Sequence, residues 1–370
     1  MKKYILIIAI IGIAVSAYAQ MDVPAPGGNP RATITETIGI TDITLSYSRP
    51  DVSGREGKIW GTLVPYGFST FSFITNGLTA PWRAGANENT TISFEHPVTL
   101  EGHEVPAGTY GIHMAMYPDS VILILSTKSD AWGSFYYEQK YDQLRVALKP
   151  QINDKNVEWL KYEFVEHRPT GATVTMMWEK MIVPFKIEVD VDNIVVARLR
   201  DQVTSQKGFN ASNLLQAAQY CINKNINLEE ALSWSQKAVN GFGSIRSYTT
   251  LSNLANAYTK LNKTAQADSV MSEALPMANV NQYVAYGRSL ISQKRSEKAM
   301  EVMTKALDRF GDIQAVNTGL AYTYSSKANF AKALEYAYKS LSQAPNENAK
   351  KAAQALIDKL KDKKRHKLST

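Results

Sequence analysis

The chain has 370 residues, of which 44% are hydrophobic and 20% are charged, a composition typical of folded protein rather than of a disordered chain. Its one cysteine, Cys221, excludes an intramolecular disulfide, a Cys-x-x-Cys redox pair and a thiolate zinc cluster. Residues 20–199 hold 15 basic and 21 acidic side chains, whereas residues 200–370 hold 24 and 13. This asymmetry favours two domains whose electric fields have opposite signs.

The N-terminus has the pattern of a secretory signal peptide. A short basic start precedes an apolar run from Tyr4 to Ala19, and residues 17–19 have the small-x-small spacing that signal peptidase cleaves. The run of 16 residues is shorter than the roughly 20 that a transmembrane helix needs. We therefore predict a signal peptide over residues 1–19, cleavage between Ala19 and Gln20, and a mature chain that is secreted or periplasmic and has no membrane span. Because exported proteins rarely meet nucleic acid, we do not expect nucleic acid as a partner.

From Arg31 to Asp192, apolar and polar residues alternate in short runs separated by Gly and Pro. In one run Ile43, Leu45 and Tyr47 share a face, as in a half-buried strand. Similar runs occupy residues 90–94, 109–116, 121–126, 144–148, 157–165, 172–178 and 182–189. About nine or ten short strands are expected, and no long amphipathic helix. We predict a β-rich domain over residues 20–192, folded as an antiparallel β-sandwich or a barrel-like sheet.

After Asn193 the apolar period becomes helical and a repeat is visible. Four pairs of small residues are each spaced by seven positions: Ala231 and Ala238, Ala267 and Ala274, Ala299 and Ala306, and Ala333 and Ser340. Successive pairs begin 36, 32 and 34 residues apart. A period of about 34 residues is that of the tetratricopeptide repeat, which this half of the chain resembles.

The predicted fold class is therefore α+β with two domains, the second an all-α tetratricopeptide-like helical solenoid. We predict a linker at 193–208, the helical repeats at 209–362 and a basic tail at 363–370. Within the array, residues 346–360 are expected to form a last helix that covers the open end of the stack.

The resemblance to tetratricopeptide repeats implies a groove that binds a protein partner. Polar residues at inward positions of the first helix in each pair are candidates for contacts with such a partner. The candidates are Asn213, Asn253, Asn256, Gln282 and Asn317. The alternative is that each is an ordinary solvated polar position.

Ordered motifs between Pro26 and Lys149 resemble a second family. They include Asn29-Pro30-Arg31-Ala32-Thr33, Tyr47-Ser48-Arg49-Pro50, Ile59-Trp60-Gly61, Trp82-Arg83, Gly85-Ala86-Asn87-Glu88-Asn89-Thr90, Pro106-Ala107-Gly108-Thr109-Tyr110-Gly111 and Trp132-Gly133. The segment is similar to the domain of unknown function 2911. That resemblance implies an exported β-rich domain, often followed by repeats, with no established activity. The stretch Phe68–Pro81 is longer than in the family pattern and is expected to lie over the neighbouring site.

The motif at Gly85–Thr90 is a polar cluster just before a predicted strand, where a loop would direct Asn and Glu side chains to one point. Arg83 is expected to pair with Glu88 or to present its planar guanidinium to a carboxylate or phosphate. The candidate ligand-binding residues are Arg83, Asn87, Glu88, Asn89, Thr90, Arg49 and Asp51. The alternative is that these residues bond to one another and to the loop backbone.

Enzymatic motifs are scarce. The sequence contains neither the Gly-x-Ser-x-Gly elbow of serine hydrolases nor the phosphate-binding Gly-x-x-x-x-Gly-Lys loop. Glu88 with Asp51, Glu56 or Asp130 would be the carboxylate pair of a glycosidase, but sequence does not give their separation. We predict no catalytic residues and do not favour an enzyme.

A metal site would use His103 and His113 with Glu101 or His96. Because the second histidine of a metalloprotease motif is missing, we interpret these as structural histidines and predict no metal and no cofactor. The predicted function is an exported binding or scaffold protein of the cell envelope, whose repeats hold a protein partner and whose β domain contacts a second ligand. The alternative is an enzyme or small-ligand receptor that uses the Arg83–Thr90 loop.

Overall fold

A computed structural model of the chain describes residues 28–70 and 78–368. The predicted signal peptide at 1–19, and residues 71–77 of the Phe68–Pro81 stretch, lie outside the described residues. The chain divides into two compact units, with the boundary between Val195 and Val196. Among the residues that the structure describes, no helix combines the length and the apolar character that crossing a membrane requires.

The first unit is built from antiparallel sheets. Its strands in the described segments are β1 (Arg31–Ile38), β2 (Thr41–Ser48), β3 (Ser69–Thr70), β4 (Thr79–Ala80), β5 (Ala86–Phe94), β6 (Val98–Leu100), β7 (His103–Val105), β8 (Gly108–Met116), β9 (Val121–Ser126), β10 (Asp142–Leu148), β11 (Gln151–Arg168) and β12 (Gly171–Glu188). One sheet has the order β1-β2-β5-β8-β9-β10 and the other β11-β12-β6-β7. The short pair β3-β4 closes the base of the Phe68–Pro81 stretch.

Both sheets contribute to one apolar core. Ile43 and Leu45 of β2 are fully buried in it, as their alternation predicts, and so are Trp178 and Phe185 of β12. Each sheet therefore buries one face against the other, which is the sandwich form of the predicted antiparallel fold.

The two strands predicted at 172–178 and 182–189 form the single strand β12. The polar pair Glu179-Lys180 interrupts the apolar alternation in the sequence, and in the structure the register with β11 shifts there while β12 continues. Glu179 has a φ of +51°, which marks an irregularity inside the strand. Its side chain is only 7% exposed, and its carboxylate accepts a hydrogen bond of 2.9 Å from the backbone N–H of Gly57.

The second unit is helical. The helices in the described part of the chain are α1 (Val191–Val203), α2 (Ala211–Lys224), α3 (Leu228–Asn240), α4 (Tyr248–Lys260), α5 (Thr264–Ala274), α6 (Val280–Ser292), α7 (Ser296–Phe310), α8 (Gln314–Ser326), α9 (Phe330–Ser342) and α10 (Glu347–Leu368). Helices α2 to α9 form four consecutive hairpins, and α10 packs on α9. This arrangement confirms the predicted tetratricopeptide-like solenoid.

Small residues lie where the helices approach most closely. The residues of the four predicted pairs are between 0% and 3% exposed. Gly287 of α6 is also buried, and a Cβ at this position would lie 2.9 Å from the sulfur of Met303 on α7. Gln219, at the corresponding position of the first hairpin, is exposed instead. The small side chains therefore permit the close helix packing that the repeat spacing predicts.

Two segments are more helical than the sequence predicts. Most of the segment predicted as a linker, 193–208, belongs to α1. Helix α10 continues past residue 360, the expected end of the last helix, and includes residues 363–368 of the predicted basic tail. No Gly or Pro follows Pro345, and Lys, Ala and Leu are strong helix formers, so nothing in the sequence stops the helix.

Candidate functional site

A cavity of about 280 Å³ opens on the β unit. We call it the Arg83 cavity. Its wall includes Asn29, Arg55, Trp82, Arg83, Ser134 and Trp178. Ser69 and Ala80, the paired residues at the base of the β3-β4 hairpin, also line it. The Phe68–Pro81 stretch therefore borders the site at its described ends, beside the Trp82-Arg83 motif.

Arg83 is held on three sides. One of its terminal nitrogens donates a hydrogen bond to the backbone oxygen of Asn87. Its guanidinium carbon lies 4.6 Å from the centre of the Phe135 ring, a cation–π contact. Gly133 has a φ of +62°, and a Cβ there would collide with the guanidinium. The glycine thus provides both the left-handed backbone and the space that Arg83 occupies.

Ser134 connects the cavity to a buried histidine. Its hydroxyl lies 3.0 Å from Nδ1 of His113 on β8, and both residues are at most 2% exposed. Burial, together with the positive charge of Arg83, lowers the pKa of His113 from 6.5 to about 4. The imidazole is therefore neutral at pH 7 and adds no charge beside Arg83.

Two tryptophans, Trp82 and Trp178, line the cavity, and a third packs against them. The rings of Trp82 and Trp178 are stacked with centres 5.9 Å apart, and Trp60 packs edge-on against both. The indole N–H of Trp82 donates to the backbone oxygen of Gly85 at 3.1 Å. The indole nitrogen of Trp178 is buried and has no acceptor among the described residues.

Glu88 does not pair with Arg83. Its carboxylate accepts hydrogen bonds from Arg31 at 2.8 Å and from the hydroxyl of Ser48 at 3.2 Å. The strand register explains the choice, since Arg31 pairs with Ser48, and Ser48 in turn pairs with Ala86 at the start of the strand that carries Glu88. The predicted pair of Arg83 and Glu88 is therefore replaced by an ion pair across the sheet.

The loop predicted for Arg83–Thr90 is wrong for most of its length, because β5 begins at Ala86. The side-chain oxygen of Asn87 accepts a hydrogen bond from Asn29, and Thr90 donates to the backbone oxygen of Ala84. Asn89 is 3% exposed and donates to the backbone oxygen of Lys128. Because side chains alternate between the two faces of a strand, these residues do not converge on one point. Of this segment, only Arg83, Gly85 and Ala86 line the cavity.

Arg49 and Asp51 support the backbone beside the site. Arg49 donates through Nε to the backbone oxygen of Leu160 at 2.9 Å. Asp51 accepts a hydrogen bond of 3.0 Å from Arg55, which also donates to the backbone oxygen of Val52. Both candidates thus hold neighbouring structure, and it is Arg55 that reaches the cavity wall.

Three residues of the site, Ser134, Trp178 and Arg55, are not predicted from the sequence. Trp178 lies on β12, far from Trp82 in sequence, and only the pairing of sheets brings the two rings together. Ser134 follows the Trp132-Gly133 motif directly, so the family motif is the one signal that points to it.

The histidines considered as metal ligands do not form a cluster. Within residues 28–70 and 78–368, no three His, Cys, Asp or Glu side chains lie close enough together to hold a metal ion. His113 is buried against Ser134, while His103 is exposed on β7.

The helical unit has a cavity of its own, of about 290 Å³, lined by α4, α5 and α6. Tyr248 and Tyr286 form part of its wall together with Asn256. Arg295 and Asp268 form an ion pair of 2.5 Å at its edge. Burial, followed by the negative charge of Asp268, raises the pKa of Tyr286 to about 12, so its hydroxyl remains a hydrogen-bond donor at neutral pH.

Among the five candidate groove residues, Asn256 is exposed and lines this cavity. Asn253 is buried and accepts a hydrogen bond of 2.8 Å from Ser235. Asn317 is fully buried and donates to Asp312 and Gln343. Gln282 forms the capping box at the start of α6 with Asn279, and Asn213 donates to the backbone oxygen of Lys207.

Solved structures that match the chain include proteins described as tetratricopeptide-repeat proteins. A chain of the APC/C hetero-tetramer Cut9-Hcn1 is 16% identical with a TM-score of 0.33, and the match covers 46% of this chain and 33% of that one. YrrB, a TPR protein with an unusual peptide-binding site, is 16% identical with a TM-score of 0.31 over 44% of this chain and 84% of its own. A tetratricopeptide-repeat protein from Parabacteroides merdae is 17% identical with a TM-score of 0.31, over 46% and 66%. The matched part thus spans about a third of the first of these proteins. No curated protein matches the sequence significantly.

Family comparisons confirm both resemblances. The family described as "Protein of unknown function (DUF2911)" matches residues 29–187, and the tetratricopeptide-repeat family matches residues 283–312. The second match spans α6 and α7, one of the four hairpins. Repeats of this kind indicate a protein–protein interaction or scaffold role. The chain therefore carries the domain of unknown function 2911 at residues 29–187, followed by tetratricopeptide repeats.

Proposed function

We propose that this protein is an exported scaffold of the cell envelope, in which the helical array holds a protein partner and the β domain contacts a second ligand. The observation that carries the proposal is the open cavity between α4 and α6. Its wall combines the aromatic rings of Tyr248 and Tyr286 with the exposed Asn256 and the half-buried Ser252. Aromatic side chains with polar ends are enriched where proteins bind one another.

The array supports binding because its own packing leaves this surface uncovered. The alanine pairs pack α4 against α5 and α6 against α7, while Asn256 on this surface remains exposed. Asn256 and Ser252 are available for a partner in a way that the buried Asn253 is not. Export is supported by the basic start, apolar run and small-x-small site of residues 1–19, and in a double-membraned bacterium it would place the protein in the periplasm.

The β domain is proposed to bind rather than to catalyse. The residues that line the Arg83 cavity, within the described segments, include no Asp, Glu, His or Cys. General acid–base catalysis needs such a group within hydrogen-bond reach of the reacting atoms. A small-ligand receptor is accordingly the form of the alternative function that this cavity favours.

Binding of a protein partner by the helical array is tested by native capture from an envelope extract, with the full mature chain as bait. A double variant, Ser252→Arg with Asn256→Arg, adds two charges inside the cavity. The matched control, Ser272→Arg with Thr304→Arg, adds the same charges at exposed positions of α5 and α7 outside it. We expect specific proteins on the wild type and the control and their loss from the cavity variant. Equal capture by all three baits would refute this surface as the binding site.

Export is tested separately by fractionating cells and sequencing the N-terminus of the isolated protein. A chain that begins at Gln20 outside the cytoplasm is the expected result. An uncleaved N-terminus in the cytoplasm would contradict the proposed location.

A further inference from the structure

We infer that the Arg83 cavity binds a small carboxylic acid with a single ring, whose carboxylate is held by Arg83 and whose ring packs against Trp82 and Trp178. This inference rests on the proposed second-ligand contact of the β domain and names its chemistry. It does not depend on the partner of the helical array.

Arg83 brings a positive charge to the wall of the cavity. Among the described residues, no carboxylate lies within ion-pair distance of its guanidinium, whereas the other lining arginine, Arg55, is paired with Asp51. A guanidinium has five N–H donors, and one hydrogen bond of Arg83, to the backbone oxygen of Asn87, is formed within the described segments. Donors in a partly buried site thus remain for which the described residues supply no acceptor.

The position of Arg83 is fixed before any ligand arrives. Phe135 covers one face of the guanidinium and Gly133 leaves room for it, while the hydrogen bond to Asn87 sets its orientation. A guanidinium held in this way loses little conformational freedom when it binds a carboxylate. Arginine also matches a planar carboxylate with two parallel hydrogen bonds, which favours this group over a single-atom anion.

Another part of the wall is apolar. Trp82 and Trp178 are stacked with an angle of 20° between their ring planes, and Leu63, Val64 and Pro81 also line the cavity. Such a wall accommodates a ring, either aromatic or the apolar face of a sugar. Ser134 and Asn29 are polar residues of the same wall; the hydroxyl of Ser134 is hydrogen-bonded to His113, and the amide nitrogen of Asn29 donates to Asn87.

The volume limits the ligand to one ring. The cavity measures about 280 Å³, just below the roughly 300 to 1,000 Å³ found for pockets that hold drug-sized ligands. A monocyclic acid such as benzoate or glucuronate is of suitable size, whereas a dinucleotide is far larger.

The experiment measures calorimetric binding of five probes to the full mature chain. Benzoate and glucuronate are the acids, benzamide and glucose are their neutral counterparts, and phenyl phosphate distinguishes a phosphate from a carboxylate. We expect saturable binding of at least one acid, with its neutral counterpart weaker by about tenfold or more. Quenching of tryptophan fluorescence should follow the same isotherm, because Trp82 and Trp178 form the wall.

Variants locate the site. Arg83→Gln is expected to weaken the acid by about tenfold or more, whereas Arg168→Gln, at the exposed turn between β11 and β12, should leave it unchanged. Arg83→Lys keeps the positive charge but cannot form two parallel hydrogen bonds, so its affinity for the acid should lie between those of the wild type and Arg83→Gln. It also serves as the test if circular dichroism shows that Arg83→Gln is unfolded.

Several outcomes overturn the inference. Equal affinity for an acid and its neutral counterpart would exclude recognition of the charge, and unchanged binding by the Arg83 variants would place the acid elsewhere. Tighter binding of phenyl phosphate than of benzoate would show that the cavity recognises a phosphate rather than a carboxylate. Binding of the neutral probes alone would reject the acid but support the proposal that the β domain contacts a second ligand. Binding of no probe would reject both the monocyclic acid and this cavity as its site.

Discussion

The imidazole of His113 is electrostatically coupled to the guanidinium of Arg83, and the two bases do not carry charge together at neutral pH. Burial of the ring, followed by the charge of Arg83, lowers the pKa of His113 to about 4. The neutral ring shares a hydrogen bond of 3.0 Å with the hydroxyl of Ser134, a residue of the cavity wall. Of His113 and Arg83, only Arg83 therefore carries a positive charge at neutral pH.

This coupling makes the stability of the β unit depend on pH. In the unfolded chain His113 takes up a proton below pH 6.5, whereas in the folded chain it does so only at about pH 4. The unfolded state binds more protons in that window, so stability is lost as the pH falls from 6.5 to about 4. The loss assigned to this residue is on the order of 3 kcal/mol.

Urea unfolding followed by tryptophan fluorescence measures this effect, since five of the six tryptophans lie in the β half. His113→Gln should flatten the decline in unfolding free energy between pH 6.5 and 4, because the titrating group is gone. His103→Gln removes an exposed histidine and is the control. Parallel pH profiles for wild type and His113→Gln would show that His113 does not carry the dependence.

Gly133→Ala should destabilise the β unit by more than backbone strain alone. A left-handed residue with a Cβ costs roughly 1 to 2 kcal/mol, and here the Cβ would also displace Arg83. Gly54 has a similar φ of +71°, and a Cβ there would have no other group within 4 Å, so Gly54→Ala carries the strain without the collision.

Thermal unfolding of the two glycine variants separates the two costs. We expect Gly133→Ala to lose about 1 to 3 kcal/mol beyond Gly54→Ala, a cost typical of overpacking. Equal losses would mean that the guanidinium moves aside freely and that Arg83 is not fixed in place.

Periodic features of the sequence predict the fold well. The alternation of Ile43, Leu45 and Tyr47 gives the buried face of β2 correctly, and the spacing of Ala231 and Ala238 gives the packed face of α3. Both follow from local geometry, because the side-chain period of a strand or helix is fixed by its backbone.

The site is harder to predict because its geometry depends on strand register. Sequence spacing places Glu88 close to Arg83, yet the register of β1, β2 and β5 brings it to Arg31. Trp178 joins Trp82 only because the second sheet packs on the first. Arg83, one of the sequence candidates, lies in the wall of the cavity, and its role there stays a prediction.

Asn253 and Asn256 lie three residues apart on α4 and are expected to behave differently. Asn253→Ala should destabilise the helical unit by about 1 to 3 kcal/mol, because it removes the buried hydrogen bond with Ser235. Asn256→Ala changes an exposed side chain and should alter stability by less than about 0.5 kcal/mol. Helical circular dichroism during urea unfolding reports both, and a larger loss for Asn256→Ala would reverse the assignment of the two residues.

Met303 of α7 fills the space that two glycines leave on neighbouring helices. A Cβ at Gly319 of α8 would collide with its terminal methyl group, and a Cβ at Gly287 of α6 would press on its sulfur. Alanine is a better helix former than glycine by roughly 1 kcal/mol, so Gly319→Ala tests whether packing outweighs propensity. We expect packing to dominate, with a net loss of about 1 kcal/mol or more, since Met303 is fully buried.

A double-mutant cycle tests whether Met303 is the side chain that the new methyl group of Gly319→Ala displaces. Met303→Ala alone should cost about 2 to 5 kcal/mol by leaving a cavity. Combined with Gly319→Ala it should cost less than the sum of the two single changes, because the new methyl group then enters vacated space. Unfolding free energies are measured by helical circular dichroism. Strictly additive losses would show that Gly319→Ala acts independently of Met303. The contact between this glycine and Met303 would then not explain the close packing of α7 and α8.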